Sequence, residues 1–426
     1  MTHETIFTMD TTSLKIGAGA TREIGSDMAA LGVKRVMVVT DPHLVDLPAV
    51  HIVCEALQAQ GIDPVLYDQA RVEPTDQSFK AAIAFAGAGN FDGYVAVGGG
   101  SVMDTAKAAN LYATYPPDDF LDYVNAPVGK AKPVPGRLKP LIAVPTTAGT
   151  GSETTGVAIF DFLEIDAKTG IAHRALRPTL GIVDADNTRT LPPMVAACSG
   201  LDILSHAIES LTALPYQQRA APESPKMRPA YQGANPISDI WASKALGMVA
   251  QYLVRAMHDP DDLEAREQIM LAAAFAGMGF GNAGVHLPHG MSYPVSGMVR
   301  SYRPEGYQTD HAIIPHGMSV ILNAPAVFRY TAQANPRRHL YAAQLMGADI
   351  AGAADEDAGE ILAQAIIAIM KATGMPNGLS AVGFSEADVE KLAEGTLPQH
   401  RVTKLSPRPF DKATLEQLFR DAMRYW

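Results

Sequence analysis

The chain has 426 residues, 47% of them hydrophobic, and a formal net charge of −11 at pH 7. This length predicts two domains, and the negative charge with dispersed basic residues argues against nucleic acid or a membrane surface as a partner, which leaves small molecules. Two cysteines, Cys54 and Cys198, exclude a disulfide framework and favour a reducing compartment.

The amino-terminal twenty residues carry no recognisable targeting signal. They lack a basic start followed by an apolar run, and Glu4 and Asp10 disfavour a mitochondrial transit peptide. We therefore expect a cytoplasmic protein.

The first part of the chain alternates β-branched runs with amphipathic segments. This pattern predicts βαβ units in a parallel sheet covered on both faces. The predicted strands are 35–41, 64–68, 93–99, 140–147 and 180–186. Residues 157–162 and 169–174 read instead as a hairpin inserted beside the sheet.

A glycine turn follows the strand in GYVAVGGGSVMDTAKAAN (93–110). Gly99 and Gly100 let the backbone approach a ligand, and a helix starting after Ser101 presents free N–H groups to a phosphate. The alternative is a capped helix, because Ser101 and Asp104 have capping-box spacing and need no ligand. Met103 also stands where the usual dinucleotide fingerprint has its last glycine.

Two further features support a nucleotide site at the same sheet edge. PTTAGTGSE (145–153) follows the next strand and offers the hydroxyls of Thr146 and Thr147. Asp41 ends its strand, where its carboxylate would accept hydrogen bonds from a ribose diol and repel a 2′-phosphate. The alternatives are an ordinary βα loop and a simple helix cap.

After about residue 190 the pattern becomes helical. The predicted helices are 192–213, 237–257, 260–279, 337–347, 357–374, 386–396 and 411–424, with long loops at 214–236 and 300–317. The predicted fold class is α/β: a Rossmann-like parallel-sheet domain (1–190) that binds a dinucleotide, followed by an all-helical domain (191–426) for metal and substrate.

The segment SGLDILSHAIES (199–210) sets Asp202 and His206 four residues apart, on one helical face. The pair alone is a weak signal, but four histidines, His286, His289, His311 and His316, fall within the 31 residues that end at position 316. A carboxylate with imidazoles suits Fe(II) or Zn(II). The alternative for any single histidine is a hydrogen-bonded core or surface residue.

Five motifs, GGGSVMDTAK, PTTAGTGSE, GLDILSHAIES, PHGMSYP and PHGMS, occur in the order found in the iron-containing alcohol dehydrogenase family, which the chain resembles over nearly its whole length. FLDYVNAPVGK, NPISDIWA and TLPQHRVTKL most resemble the branch that transfers hydride between a hydroxyacid and an oxoacid. The implied metal ligands are Asp202, His206, His289 and His316, with His286 and His311 outside. The implied NAD contacts are Asp41, Gly99, Gly100, Ser101, Thr146, Thr147 and Lys168.

The chain departs from the family at Tyr293, where many members have a second histidine. A phenol is a poorer base than an imidazole at neutral pH, so Tyr293 would orient substrate or relay a proton; simple packing is the alternative. For Lys168, the alternative to an NAD contact is an ordinary lysine exposed to solvent.

The resemblance implies oxidation of 4-hydroxybutyrate coupled to reduction of 2-oxoglutarate, through bound NAD, in a homodimer. Such acids require a cation, and the candidates are Arg174, Arg177, Arg300 and Arg303. Three alternatives stay open: an NAD-dependent dehydrogenase of simple alcohols, a lyase related to dehydroquinate synthase, and a non-catalytic nucleotide-binding protein.

Overall fold

The computed structural model describes residues 3–165, 167–309 and 311–426. The chain forms two compact units. One is Thr11–Leu191, and the other joins Pro192–Trp426 to the described residues up to Asp10. This differs from a first domain spanning 1–190, because the amino-terminal segment is hydrogen-bonded to the helical unit: Thr8 and Gln232 bond reciprocally, and the Asp10 amide donates to Asn282.

The first unit contains a six-stranded parallel sheet and a separate antiparallel hairpin, with strand order β1-β8-β5-β4-β2-β3 in the sheet. The strands are β1 (Ser13–Ile16), β2 (Arg35–Val39), β3 (Asp63–Tyr67), β4 (Gly93–Gly98), β5 (Leu141–Pro145) and β8 (Leu180–Val183), and the hairpin consists of β6 (Val157–Phe162) and β7 (Ala167–Ala172). The helices of this unit are α1 (Ile24–Ala30), α2 (Pro48–Ala59), α3 (Asp76–Gly89) and α4 (Gly100–Thr114).

Alternation along the strands explains why the sheet is covered on both faces. In β2, Val36 and Val38 pack into one core cluster with Val53 of α2, whereas Met37 and Val39 pack into another on the opposite face. Burial on both faces requires the near-continuous apolar runs seen in the sequence. The predicted parallel sheet and hairpin are confirmed.

Strand β1 is missing from the prediction. It is only four residues long, lies at the sheet edge and has a partly exposed SLKI sequence, so it lacks an apolar run. Its backbone pairing with β8 defines it instead.

The second unit is helical. Its helices are α5 (Pro193–Thr212), α6 (Pro236–His258), α7 (Leu263–Ala283), α8 (Leu287–Gly297), α9 (His316–Ile321), α10 (Ala324–Thr331), α11 (Pro336–Leu345), α12 (Ala358–Ala372), α13 (Val389–Thr396), α14 (His400–Thr403) and α15 (Lys412–Asp421). Within the described ranges no single helix is long and apolar enough to cross a membrane; α7 and α8 reach that length only as a pair bent by 105°.

The predicted α/β domain followed by an all-helical one is confirmed, although four short helices, α8, α9, α10 and α14, were not predicted. In α8, Gly290 and Pro294 disfavour a helix by propensity, whereas Pro288 lies in the first turn, where proline is tolerated. Nearly all of α8 is buried, so tertiary packing stabilises it.

Candidate active site

Helix α5 presents three ionisable side chains on one face. Asp202, His206 and Glu209 occupy positions i, i+4 and i+7, and all three are buried. Buried polar groups of this kind are costly unless they meet partners. Other helices of the unit supply those partners.

Two short helices bring further imidazoles to this face. His289 is the third residue of α8, and His316 is the first residue of α9. Helix α9 approaches α5 so closely that a Cβ at Gly317 would lie 2.0 Å from the Cys198 carbonyl oxygen. The glycine after His316 is therefore required for packing at this position.

The Asp202 carboxylate lies among the three imidazoles. Its Oδ1 atom is 3.8, 3.6 and 3.8 Å from the Nε2 atoms of His206, His289 and His316 respectively. One donor atom from each of the four residues lies within 4.8 Å of the others. The structure therefore brings together the four side chains that the resemblance implied as metal ligands.

The chemistry of this cluster fits a divalent metal. Asp202 Oδ1 and His289 Nε2 are buried and have no hydrogen-bond partner among the described residues. Because an unsatisfied buried polar atom is destabilising, two such atoms facing each other fit a cation between them. Fe(II) and Zn(II) accept one carboxylate and three imidazoles, at about 2.0–2.2 Å for zinc, so only a small contraction is needed.

Glu209 holds His289 in the orientation that a metal ligand requires. His289 Nδ1 donates a short hydrogen bond to Glu209 Oε2, and the backbone amides of His286 and His289 donate to Oε1 at 2.8 and 3.2 Å. This arrangement leaves Nε2 of His289 directed at Asp202. Glu209 was not predicted from the sequence, although its i+7 spacing from Asp202 was a signal for it.

The charge states of the cluster follow from burial and from its neighbours. Burial lowers the pKa of His206 to about 3, so this imidazole is neutral, and its ring stacks on Phe280 with 3.8 Å between centroids. Burial would raise the pKa of Asp202, but His206 and His316 outweigh it and hold that pKa well below its usual range. Asp202 is therefore ionised and His206 neutral, as metal ligands must be.

The remaining two histidines lie outside the group of four. His286 is buried, and its Nε2 lies 3.0 Å from Thr212 Oγ1. His311 is half-buried in the segment before α9.

The candidate dinucleotide site lies in the first unit. Strands β2, β4 and β5 are neighbours and parallel, so the residues that follow them meet at one edge of the sheet. The Thr146 amide donates to the Gly98 carbonyl at 3.1 Å. The glycine turn that follows β4 (98–100) and the threonine-rich loop that follows β5 (145–153) therefore lie side by side.

Helix α4 begins at Gly100 rather than after Ser101, and among the described residues no side chain caps it. The capping-box alternative is wrong, because Asp104 instead accepts hydrogen bonds from Ser152 Oγ and the Ile159 amide at 2.8 and 2.9 Å. A Cβ at Gly99 would contact the Thr147 side chain at 3.2 Å. The uncapped amides of α4 fit an anionic phosphate.

Asp41 follows β2 at the same edge and is buried. Its Oδ1 accepts a hydrogen bond from the His43 amide at 2.8 Å, so the carboxylate also holds the turn that follows the strand. Burial raises its pKa, and the His43 hydrogen bond opposes that effect.

Lys168, on β7, is not the solvated lysine of the alternative. Its side chain is 2% exposed and pairs with Glu73 and Asp161 at 2.6 and 2.9 Å. Glu73 in turn donates its amide to Ser101 Oγ at 3.2 Å. Lys168 thus holds Glu73 in place, and the backbone amide of Glu73 is hydrogen-bonded to Ser101.

Tyr293 lies four residues after His289 on α8 and is buried. Its hydroxyl accepts a hydrogen bond from Arg401 Nη2 at 2.7 Å. Arg401, in α14, was not among the arginines nominated from the sequence. The only signal for it was its position within TLPQHRVTKL.

The four arginines that the sequence suggested as carboxylate-binding candidates make contacts elsewhere. Arg300 is largely exposed and forms a short ion pair with Asp388. Arg303 Nη1 bonds to the Thr309 carbonyl at 3.5 Å. Arg174 and Arg177 belong to the first unit, where Arg177 Nε donates to the Thr154 carbonyl at 3.2 Å.

Comparison with known proteins identifies the family. Residues 11–185 match the model of iron-containing alcohol dehydrogenases, and residues 230–423 match the model of the C-terminal region of that family. The chain belongs to the iron-containing alcohol dehydrogenase family. It is therefore an enzyme, an oxidoreductase acting on small molecules. This membership excludes the non-catalytic nucleotide-binding protein and disfavours the lyase.

Individual members of the family resemble the chain closely. It is 55% identical over 421 residues to the mitochondrial hydroxyacid-oxoacid transhydrogenases of Bos taurus and Homo sapiens, covering 99% of this chain and 90% of each relative. The solved structure of 1,3-propanediol oxidoreductase matches with a TM-score of 0.85 and 28% identity, over 98% of this chain and 100% of that one. Sulfoacetaldehyde reductase from Bifidobacterium kashiwanohense, in complex with NAD+, matches with a TM-score of 0.79 and 25% identity over 99% of both chains.

The predicted cytoplasmic location is contradicted by this comparison, because the similar hydroxyacid-oxoacid transhydrogenases of Bos taurus, Rattus norvegicus and Homo sapiens are mitochondrial proteins. The amino-acid composition and the number of cysteines are properties of the folded enzyme, whereas cellular targeting is determined by separate signal segments. Neither property of the fold decides the compartment.

Proposed function

We propose that the enzyme is a hydroxyacid-oxoacid transhydrogenase that oxidises a 4-hydroxybutyrate-like acid while reducing a 2-oxoglutarate-like acid, with NAD retained between the two half-reactions. The identity of 55% over 99% of the chain with relatives named for this reaction carries the proposal. We also propose a homodimer, on family resemblance.

The proposed metal ligands are Asp202, His206, His289 and His316, and the proposed NAD contacts are Asp41, Gly99, Gly100, Ser101, Thr146, Thr147 and Lys168. When bound, Fe(II) or Zn(II) supplies Lewis-acid polarisation of the substrate oxygen, and NAD supplies a reversible hydride acceptor. Asp41 favours NAD because its carboxylate repels a 2′-phosphate.

The protein's own groups position both the cofactor and the substrate. The uncapped amides of α4 hold the pyrophosphate, and Glu209 fixes the ring of His289. The Tyr293 hydroxyl, hydrogen-bonded to Arg401, orients the acid substrate. Hydride leaves C4 of the hydroxyacid and arrives at C2 of the oxoacid, and the hydroxyl proton of the first substrate is matched by the one gained by the second.

A two-substrate assay tests this proposal. Purified, metal-replete enzyme receives 4-hydroxybutyrate and 2-oxoglutarate without added nucleotide, and mass spectrometry quantifies the products. We expect 2-hydroxyglutarate and succinic semialdehyde in equal amounts and in many-fold excess over enzyme. Turnover that requires added NAD and releases NADH would instead identify a plain alcohol dehydrogenase.

A further inference from the structure

Arg401 is a cation without an anionic partner in the described part of the chain. Its Nη2 donates to the Tyr293 hydroxyl at 2.7 Å, and its guanidinium carbon lies 5.2 Å from the centre of the Tyr231 ring. Its Nη1 atom is buried and has no hydrogen-bond partner there. Two phenols therefore flank the guanidinium, and one of its donor nitrogens is unsatisfied.

Six other arginines of the same unit are paired with carboxylates. Each of the following lies within 3.1 Å of a carboxylate oxygen: Arg228, Arg255, Arg300, Arg329, Arg338 and Arg420. A buried guanidinium left without a carboxylate is destabilising for the protein alone. Such an arrangement is typical of a site whose anion arrives with a ligand.

The electrostatic surroundings of Arg401 also favour an anion. Lys404, three residues further along, has its pKa lowered by burial and then by the nearby charges of Arg219 and Arg401. Neighbouring positive charges of this kind raise the local positive potential, which favours an anion near Arg401.

Two chains of contacts connect Arg401 to the four-residue metal cluster. On one side, Tyr293 lies four residues beyond His289 on α8, about 6 Å along the helix axis. On the other side, the Tyr231 ring lies 6.5 Å from that of Phe280, which stacks on His206. The guanidinium is thus linked to the metal cluster through Tyr293 on one side and through the Tyr231 and Phe280 rings on the other.

We propose that Arg401, with Tyr231 and Tyr293 beside it, binds the distal carboxylate of both substrates in turn. The proposal rests on the proposed function and explains how one site accepts two different acids. In 4-hydroxybutyrate the reacting C4 is three carbon–carbon bonds from the carboxylate carbon C1. In 2-oxoglutarate the reacting C2 is likewise three bonds from C5.

The shared spacing gives both acids the same length between the reacting carbon and the distal carboxylate. Three carbon–carbon bonds of about 1.5 Å each separate these two carbons in either acid. A bidentate guanidinium holds a carboxylate in a fixed orientation, which places either reacting carbon at the same point. The structure thereby selects acids by the length between the reacting carbon and the carboxylate.

The test compares an acid substrate with an uncharged alcohol of the same carbon number. In Arg401→Met we expect kcat/KM for 4-hydroxybutyrate to fall about 100-fold or more, whereas kcat/KM for 1-butanol stays within about threefold of wild type. In Arg401→Lys, which keeps the charge but loses the fork, we expect an intermediate loss for the acid. Arg255→Met, at an exposed ion pair of α6, is the matched control and should leave both values unchanged.

A binding measurement gives a second readout that does not depend on turnover. Glutarate carries the distal carboxylate but no reacting oxygen, and calorimetry should detect its binding to wild type and to Arg255→Met but not to Arg401→Met. Equal losses for acid and alcohol, or unchanged glutarate binding in Arg401→Met, would overturn the proposal. If Arg401→Met does not fold, Arg401→Lys decides by the same two measurements.

The outcomes separate this proposal from the proposed function. Glutarate binding that depends on Arg401, in an enzyme without acid turnover, would refute the transhydrogenase while supporting the carboxylate site. Normal acid turnover in Arg401→Met would do the reverse.

Discussion

Glu209 decides which nitrogen of His289 faces the metal position. Burial alone would lower the pKa of His289, but the Glu209 and Asp202 carboxylates outweigh it and raise that pKa to about 10. Without metal, the ring is therefore protonated at neutral pH. A metal ion that binds Nε2 must displace the proton there, while the Nδ1 proton stays with Glu209.

Metal uptake should therefore depend on pH. Between neutral pH and about pH 10 each bound ion displaces close to one proton from His289, so the apparent affinity should rise by up to about tenfold per pH unit and level off near pH 10. Calorimetry in buffers of different ionisation enthalpy counts the protons. Glu209→Gln lowers the pKa of His289, and the count at neutral pH should then drop well below one.

The control is Glu264→Gln, at an exposed position in α7. Metal binding to this variant should release as many protons as metal binding to wild type. Identical proton release in Glu209→Gln and wild type would contradict the role given to Glu209.

At the scale of elements, sequence periodicity predicted the segments in which a regular pattern of apolar residues forms one buried face. The valine-rich strands and the long helices α5, α6 and α7 belong to this group. Helices α8 and α9 do not, because Gly290, Pro294 and Gly317 carry weak helical propensity, and contacts with α5 and α14 make up for it. The metal donors could be named from motifs, whereas Glu209 and Arg401 depend on contacts that the chain makes only when folded.

Helix α4 is tied to the threonine-rich loop by Lys107. This fully buried lysine donates to the Ser152 carbonyl, Ser152 Oγ and the Val157 carbonyl at 2.8, 2.6 and 2.9 Å. Burial lowers its pKa to about 8, although the nearby charges of Asp104 and Glu153 oppose that effect. The network connects the threonine-rich loop to α4, whose amino terminus it borders.

Replacing Lys107 with Met should loosen this loop. The change removes the donor to the Ser152 and Val157 carbonyls and the cation beside the Asp104 carboxylate, so the free energy of unfolding should fall by about 3 kcal/mol. Urea denaturation of the full chain measures the loss, and hydrogen exchange should localise it to residues 146–157. Lys80→Met, at a half-exposed pair with Asp76, should cost less than about 0.5 kcal/mol. Equal losses in the two variants would refute the structural role of Lys107.

At the scale of the whole molecule, the chain combines an α/β unit suited to a dinucleotide with a helical unit suited to a metal and an acid. Sequence patterns were sufficient to predict both units. They placed residues 3–10 in the wrong one, because the hydrogen bonds of Thr8 and Asp10 to the helical unit have no periodicity to reveal them.

The measurement that tests the central claim most directly follows one hydride. Enzyme is supplied with 4-hydroxybutyrate carrying deuterium at C4, unlabelled 2-oxoglutarate and a large excess of unlabelled free NADH. A retained cofactor passes the label directly, so we predict 2-hydroxyglutarate that is almost fully deuterated at C2. Product that carries hydrogen from the free NADH pool would show that the cofactor exchanges between half-reactions, and would contradict transhydrogenation.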